Sequence, residues 1–340
     1  MRARTLTHLR LGSGVPVLVL ALATVTLLAG GLPAQGAATR APLWTARYFL
    51  PDTNSAAMAL AVSPDGTRVF VGGRSEGMTG SNYLTVAYDQ RTGAKLWTRR
   101  TSGGTDELHA IAVSPSGSML YVTGTREMPV TDEDVFTIAY DAATGTTRWS
   151  ARYNQSRGGE SLEDFGDAIA VSPDGSKVFV AGSSGGPFAL LVAYNAETGA
   201  RLWARSLQRS SWFFALAASP DSSRVYTTGG VDTPTQFSND LTMAFNASNG
   251  STLWSRQYNG PAGGEDGGNL IAVSPDGSRL YVSGASSKLG EPGWTAGFLD
   301  WATIAYRANT GTRLWGKRYE SGVPLSIAVA PAGENVYVYG

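Results

Sequence analysis

Short runs of apolar, β-branched and aromatic residues recur along the chain, and polar turn residues bound each run. Residues 119–123 are a typical run, with the composition that strands favour. After the N-terminal region, no segment has the sustained 3.6-residue apolar period of an amphipathic helix. The pattern therefore predicts an all-β protein built of short strands.

Two phrases recur and divide the chain into repeats. The first is a Ser-Pro-Asp-Gly turn. Its proline fixes φ at the value that the turn needs, and its Asp-Gly pair readily adopts the remaining turn conformation. Its copies begin at Ser63, Ser114, Ser172, Ser219, Ser274 and, in degenerate form, Ala330. The second phrase is Ala-Tyr-Asp-x-x-Thr-Gly-x-x-x-Trp, and its copies end at Trp97, Trp149, Trp203, Trp254 and Trp315. Each phrase predicts a turn between two strands.

Each repeat contains four predicted strands, which in the second repeat are A (residues 110–114), B (119–123), C (136–140) and D (148–153). Four-stranded repeats of about 50 residues are typical of β-propeller blades. Residues 43–48 look like a strand D without the strands that should precede it, and residues 326–340 supply strands A and B alone. We therefore expect residues 39–340 to form a propeller of five complete blades plus a partial sixth, truncated at its C-terminus.

Residues 1–38 have the three-part plan of a secretory signal peptide with its cleavage region. A basic head is followed by an apolar run over residues 15–28 and by small residues around Gly36 and Ala38. The run is shorter than the ~20 residues that cross a bilayer. We expect a secreted, extracellular or periplasmic protein without a membrane span after cleavage. An uncleaved N-terminal anchor is the alternative.

Composition excludes several kinds of site. The absence of cysteine excludes disulfides, thiolate metal sites, cysteine nucleophiles and a lipid-anchored N-terminal cysteine. The 27 basic and 27 acidic residues balance, whereas nucleic-acid-binding proteins normally carry a basic excess. We therefore expect no nucleic-acid partner.

The Trp-terminated phrase resembles the tryptophan-docking repeat of pyrroloquinoline-quinone (PQQ)-type propellers, and the Ser-Pro-Asp-Gly turns resemble those of secreted bacterial WD40-like propellers. The resemblance covers about residues 43–340. It implies that the repeat tryptophans pack between blades as structural residues, at Trp97, Trp149, Trp203, Trp254 and Trp315. The superfamily that it indicates includes quinone-dependent dehydrogenases and outer-membrane assembly scaffolds.

The chain departs from the enzyme members of that superfamily. The alcohol-dehydrogenase type uses adjacent cysteines, which this chain lacks. The glucose-dehydrogenase type uses a histidine base, and His109 is the one histidine left after signal removal. We therefore expect no PQQ cofactor.

Loops that connect strand D to A, and B to C, vary in length and carry most of the acidic residues, whereas the repeated turns at the other end are uniform. Variable loops commonly carry function, and an acidic surface attracts cationic partners. Carboxylates are also ligands of Ca²⁺, so a calcium ion is compatible with this face, although the sequence identifies no metal site. The expected binding residues are Asp106, Glu107, Asp132, Glu133, Asp134, Glu163, Asp164, Glu265, Asp266, Trp212 and Trp294. The alternative is a solvated acidic rim.

The start of strand A is expected to face the central channel, where the aligned residues are Met58, His109, Asp167, Phe214, Asn269 and Leu325. His109 and Asp167, from successive blades, form the one His–carboxylate pairing available and are weak catalytic candidates. A lone histidine at such a position is more often a hydrogen-bonded packing residue.

These observations favour a secreted, non-catalytic propeller that binds a protein or a glycan through an acidic loop face. The alternative is a PQQ-dependent sugar or alcohol dehydrogenase, which the repeat tryptophans suggest and the missing cysteines oppose.

Overall fold

A computed structural model describes residues 42–48, 54–77, 80–102, 105–128, 132–157, 160–186, 188–234, 237–288, 299–320 and 322–340. The expected signal peptide lies outside the described residues, as does Trp294. Every regular element within them is a β-strand.

Antiparallel strands in consecutive order form the blades. The first blade contains β1 (Ser55–Val62), β2 (Arg68–Gly77), β3 (Gly80–Asp89) and β4 (Lys95–Arg100). The second contains β5 (Asp106–Val113), β6 (Met119–Met128), β7 (Asp132–Asp141) and β8 (Thr147–Tyr153). A small hairpin of β9 (Ser156–Arg157) and β10 (Glu160–Ser161) follows.

One long strand joins the third and fourth blades. The third blade contains β11 (Asp164–Val171), β12 (Lys177–Ser184), β13 (Phe188–Asn195) and the first half of β14 (Arg201–Ala218). The second half of β14 begins the fourth blade, which continues with β15 (Arg224–Asp232), β16 (Ser238–Asn246) and β17 (Thr252–Tyr258). A loop between strand D of the third blade and strand A of the fourth is expected at residues 208–213. This expectation is wrong, because no glycine or proline interrupts the segment and the strand continues through it.

The fifth blade contains β18 (Asp266–Val273), β19 (Arg279–Ser287), β20 (Leu299–Arg307) and β21 (Arg313–Tyr319). Two further strands, β22 (Ser326–Val329) and β23 (Val336–Tyr339), form a hairpin beyond it. The all-β architecture of four-stranded propeller blades is thus confirmed. Residues 43–48, expected as a strand, are not in a strand, although Trp44 packs on the first blade.

The repeat tryptophans connect each blade to the next. The indole N–H of Trp97 donates to the carbonyl of Ala142 at 3.1 Å. Its ring covers Gly145, where a Cβ atom would lie 2.7 Å from the ring and where φ is +69°. The same N–H···O bond joins three further pairs: Trp149 and Ala196, Trp203 and Ala247, Trp254 and Ala308. Buried indoles at these junctions bring apolar area and a satisfied donor together.

Arginines two residues after some of these tryptophans fasten the same turns. Arg99 donates to the carbonyls of Gly145 at 2.7 Å and Thr144 at 2.9 Å. Arg205 and Arg256 contact the corresponding turns of their next blades in the same way. Charged donors satisfy turn carbonyls that strand pairing leaves unused. The Trp-x-Arg spacing was available in the sequence as the signal for this contact.

A β-bulge lies at the channel-facing position of strand A in each complete blade. In the second blade, Leu108 pairs with Gly124 and Ala110 with Thr123, so that His109 is the extra residue. A Cβ atom on Gly124 would lie 2.0 Å from the carbonyl oxygen of Glu107. The corresponding glycines in the other complete blades are equally close to a carbonyl: Gly73, Gly182, Gly229 and Gly284. A bulge re-aims the side chain of its extra residue, and glycine across from it makes room.

Buried carboxylates lie at the loop-side ends of the strands. Asp106 and Asp134 are fully buried, and each is paired with an arginine, Arg126 at 2.7 Å and Arg152 at 2.9 Å. Pairing offsets the cost of taking these charges out of water.

Two other buried carboxyls, Asp164 and Asp240, are held by weaker donors. Burial raises the pKa of Asp164 to about 7, and the nearby carboxylate of Asp134 also raises it. The hydrogen bond from the backbone amide of Gln155 has the opposite effect and lowers this pKa. Burial likewise raises the pKa of Asp240 to about 7, against hydrogen bonds from Thr242 and Thr228. Both groups therefore bind a proton more tightly in the folded chain than in the unfolded chain.

Replacing Gly124 with alanine is expected to lower the free energy of unfolding by about 1–3 kcal/mol, because the new methyl group collides with a rigid carbonyl. Gly316→Ala is the matched control, since its Cβ would meet the flexible guanidinium of Arg313 in a strand. That variant should be neutral or more stable by up to about 1 kcal/mol. Denaturant unfolding measures both free energies, and equal effects would show that the glycine opposite the bulge is not needed to make room for the carbonyl.

Stability is expected to decrease as pH rises from 5 to 8, because the proton that Asp164 and Asp240 bind near pKa 7 is lost over this interval. Each carboxyl should contribute on the order of 2 kcal/mol to the decrease. In denaturant unfolding at several pH values, Asp164→Asn or Asp240→Asn should make this decrease in the free energy of unfolding smaller.

Asp276→Asn is the control, because the hydrogen bond from Ser274 lowers the pKa of Asp276 to about 2 and keeps this exposed group ionised throughout. A pH slope that is the same in the wild type and all three variants would contradict the expectation.

Candidate binding face at the channel

Charged side chains from three blades meet at the channel-facing bulges. The guanidinium Nη1 of Arg74 lies 3.4 Å from Oε1 of Glu107. The imidazole of His109 lies between two carboxylates, with Nε2 at 3.9 Å from Glu107 Oε2 and Nδ1 at 3.4 Å from Asp167 Oδ1. The structure thus brings His109 and Asp167 together across the junction of the second and third blades.

The two carboxylates decide the charge of the imidazole. Burial lowers the pKa of His109, but Asp167 and Glu107 outweigh this effect and raise the pKa to about 10. At neutral pH the ring is therefore an imidazolium, and its Nδ1 donates to the carbonyl of Gly166 at 3.2 Å. An imidazole that is already protonated cannot act as a general base.

The expected acidic residues divide into two groups. Asp106, Asp134, Asp164 and Asp266 are buried and hold strands or loops together. Asp266 accepts a hydrogen bond from the amide of Gly260 at 2.7 Å. Because they are buried, these four side chains are not accessible to a partner at the surface.

The remaining acidic residues lie nearer the surface. The side chain of Glu107 is 51% exposed, and Glu163 is also exposed. Glu133 is half-buried, and Glu265 accepts hydrogen bonds from the amide and hydroxyl of Ser238 at 2.9 and 2.5 Å. The side chain of Asp132 lies outside the described residues.

Arginines that sequence reasoning missed lie among these carboxylates. Arg152 and Arg318 follow their repeat tryptophans by three residues. Each is the second-last residue of a strand D and lies 2.9 Å from a buried carboxylate, Asp134 or Asp300. The recurrence of arginine three residues after Trp97, Trp149 and Trp315 was the available signal. Net negative charge at the loop face is therefore smaller than its acidic residues alone indicate.

Aromatic side chains mark the fourth blade. The half-buried indole of Trp212 covers Gly230, whose Cβ would lie 2.4 Å from the ring. The ring of Phe214 is 6.2 Å from it by centroids and is 45% exposed at the channel-facing bulge. Phe214 rather than Trp212 is thus the more accessible aromatic residue here.

Among the residues that the structure describes, no group of three or more His, Asp or Glu side chains is arranged to hold a metal ion. The same part of the chain contains no helix long and apolar enough to cross a membrane.

The fold is similar to that of Kuenenia stuttgartiensis hydrazine synthase, with a TM-score of 0.60 and 18% identity over 83% of this chain and 73% of that chain. At this identity the similarity shows the fold alone. No curated protein matches the sequence. A family model described as "Outer membrane protein assembly factor BamB", of the PQQ-repeat type, matches residues 3–210 and 187–340. Because these matches extend over nearly the whole chain, this protein belongs to that family of PQQ-repeat β-propellers.

Proposed function

We propose that this chain is a non-catalytic binding scaffold that acts outside the cytoplasm and holds a protein partner at its loop face. The observation that carries the proposal is the ion-paired network of Glu107, His109 and Asp167. It fixes two partly exposed carboxylates at the channel and keeps the histidine cationic. The half-exposed carboxylate of Glu107 and the exposed carboxylate of Glu163 supply acceptors for the charged donors of a basic segment of a partner.

The family description supports a protein rather than a glycan as the partner at this face. It names an outer-membrane protein assembly factor, and assembly requires contact with other proteins. The same description and the signal-like residues 1–38 support a location in the cell envelope or outside the cell.

The dehydrogenase alternative requires a site for PQQ, a quinone with three carboxylates, which needs unpaired cationic groups near the channel. The described cations there, Arg74 and His109, are already paired with Glu107 and Asp167. These residues do not fit PQQ, so we favour the binding role.

A photo-crosslinking residue at position 214 is expected to capture a discrete partner in native cells, because Phe214 is 45% exposed at the channel. Leu253, also 45% exposed but on an outer strand, is the matched control position and should give no such product. Glu107→Gln combined with Glu163→Gln should reduce the product at position 214 at least about twofold, as should added salt. Equal capture at both positions would contradict the proposal.

The imidazole of His109 is expected to titrate far above its ordinary pKa of 6.5, near 10, when followed by NMR in the folded protein. Asp167→Asn should lower this pKa, because it removes one of the two carboxylates that stabilise the imidazolium. A titration near 6.5, together with sugar or alcohol oxidation after addition of PQQ and Ca²⁺, would instead support the dehydrogenase.

A further inference from the structure

A groove of about 600 Å³ lies at the turn end of the propeller, between the second and third blades. It is on the opposite side of the blades from the loop face. The residues that line it include Ser114, Ser116, Ser118, Met119, Arg148 and Glu197.

The second blade departs from the other complete blades at three of these positions. Ser116 stands where the others have Asp65, Asp174, Asp221 and Asp276. Met119 stands where they have Arg68, Lys177, Arg224 and Arg279. Arg148 stands where they have Leu96, Leu202, Leu253 and Leu314.

The fold does not require these departures. The amide of Gly117 donates to the Ser114 carbonyl at 2.9 Å, as the amide of Gly66 does to the Ser63 carbonyl at 2.8 Å. The two turns thus have the same backbone bond with and without the aspartate. Since every blade must make this turn, a coordinated change in one blade points to a local role.

The change replaces the hydrogen bonds around the aspartate with a chain of serine hydroxyl groups. In the first blade, Asp65 accepts hydrogen bonds from the hydroxyls of Ser63 and Thr67 and so directs both into the turn. In the second blade, the hydroxyls of Ser114 and Ser116 are 3.0 Å apart, and those of Ser116 and Ser118 are 2.8 Å apart. Ser116 and Ser118 are exposed, so their hydroxyl groups are accessible to a ligand as donors and as acceptors.

The walls of the groove indicate the ligand. Arg148 is 56% exposed and contacts Asp141 at 2.6 Å through one of its guanidinium nitrogens, and the fork carries further N–H donors. Asp174 and Glu197 add two carboxylates, which disfavour an anion. Pro115 and Met119 supply apolar surface beside these polar groups.

We propose that this groove binds a neutral saccharide. A sugar ring presents both hydroxyl donors and acceptors, which match the serine hydroxyls, the arginine and the carboxylates, and its C–H faces pack on apolar side chains. Loss of the Asp and Arg/Lys charges of the ordinary turn opens the groove to this ligand.

The test is saturation-transfer NMR and calorimetric titration of the full chain with glucose, N-acetylglucosamine, maltose and cellobiose at millimolar concentration. At least one of these sugars should bind. Ser116→Asp combined with Met119→Arg restores the turn of the other blades, and this variant should fold normally yet bind that sugar at least about tenfold more weakly.

The matched control is Asp221→Ser with Arg224→Met, which makes the reverse change in the fourth blade and should leave the affinity unchanged. Thermal unfolding of each variant checks the fold. The proposal is overturned if none of the four sugars binds, or if the restored turn binds as tightly as the wild type. Either failure leaves crosslinking from position 214 on the loop face unaffected, so the two proposals are separable.

Discussion

The contact on which the rest of the structure depends is the docking of a repeat tryptophan on the Thr-Gly turn of the next blade. The indole closes over a glycine that must have positive φ and no side chain, and its N–H satisfies a turn carbonyl. Because each blade contacts only its neighbours, the stability of the whole is close to a sum of such junctions. Arg99, Arg205 and Arg256 strengthen three of them.

These junctions also place the charged groups. His109 and Asp167 belong to different blades, and they meet because bulges at the same position of both strands aim them at the same space. Burial at the blade ends commits Asp106 and Asp134 to arginine pairs. The carboxylates left at the surface are therefore fewer than the acidic loops indicate, and they are fixed in position.

In a protein of repeated blades, a residue that differs in one blade alone indicates a role other than packing. The five complete blades have the same four-stranded packing. Residues that all blades share at equivalent positions are therefore explained by packing. The coordinated replacement at Ser116, Met119 and Arg148 has no such explanation, since the backbone of the turn is the same without it.

The sequence by itself determined the strands, the turns and the blade period, because β-propensity, Asp-Gly corners and the tryptophan phrase act over a few residues. Only the tertiary structure decided which acidic residues are exposed. Asp106 and Glu107 are neighbours, yet the first is buried and the second is half exposed, because successive side chains of a strand point to opposite faces and a neighbouring blade covers one of them. The continuity of β14 through Trp212, and the arginine partners about 20 residues away, depend likewise on contacts that no local pattern contains.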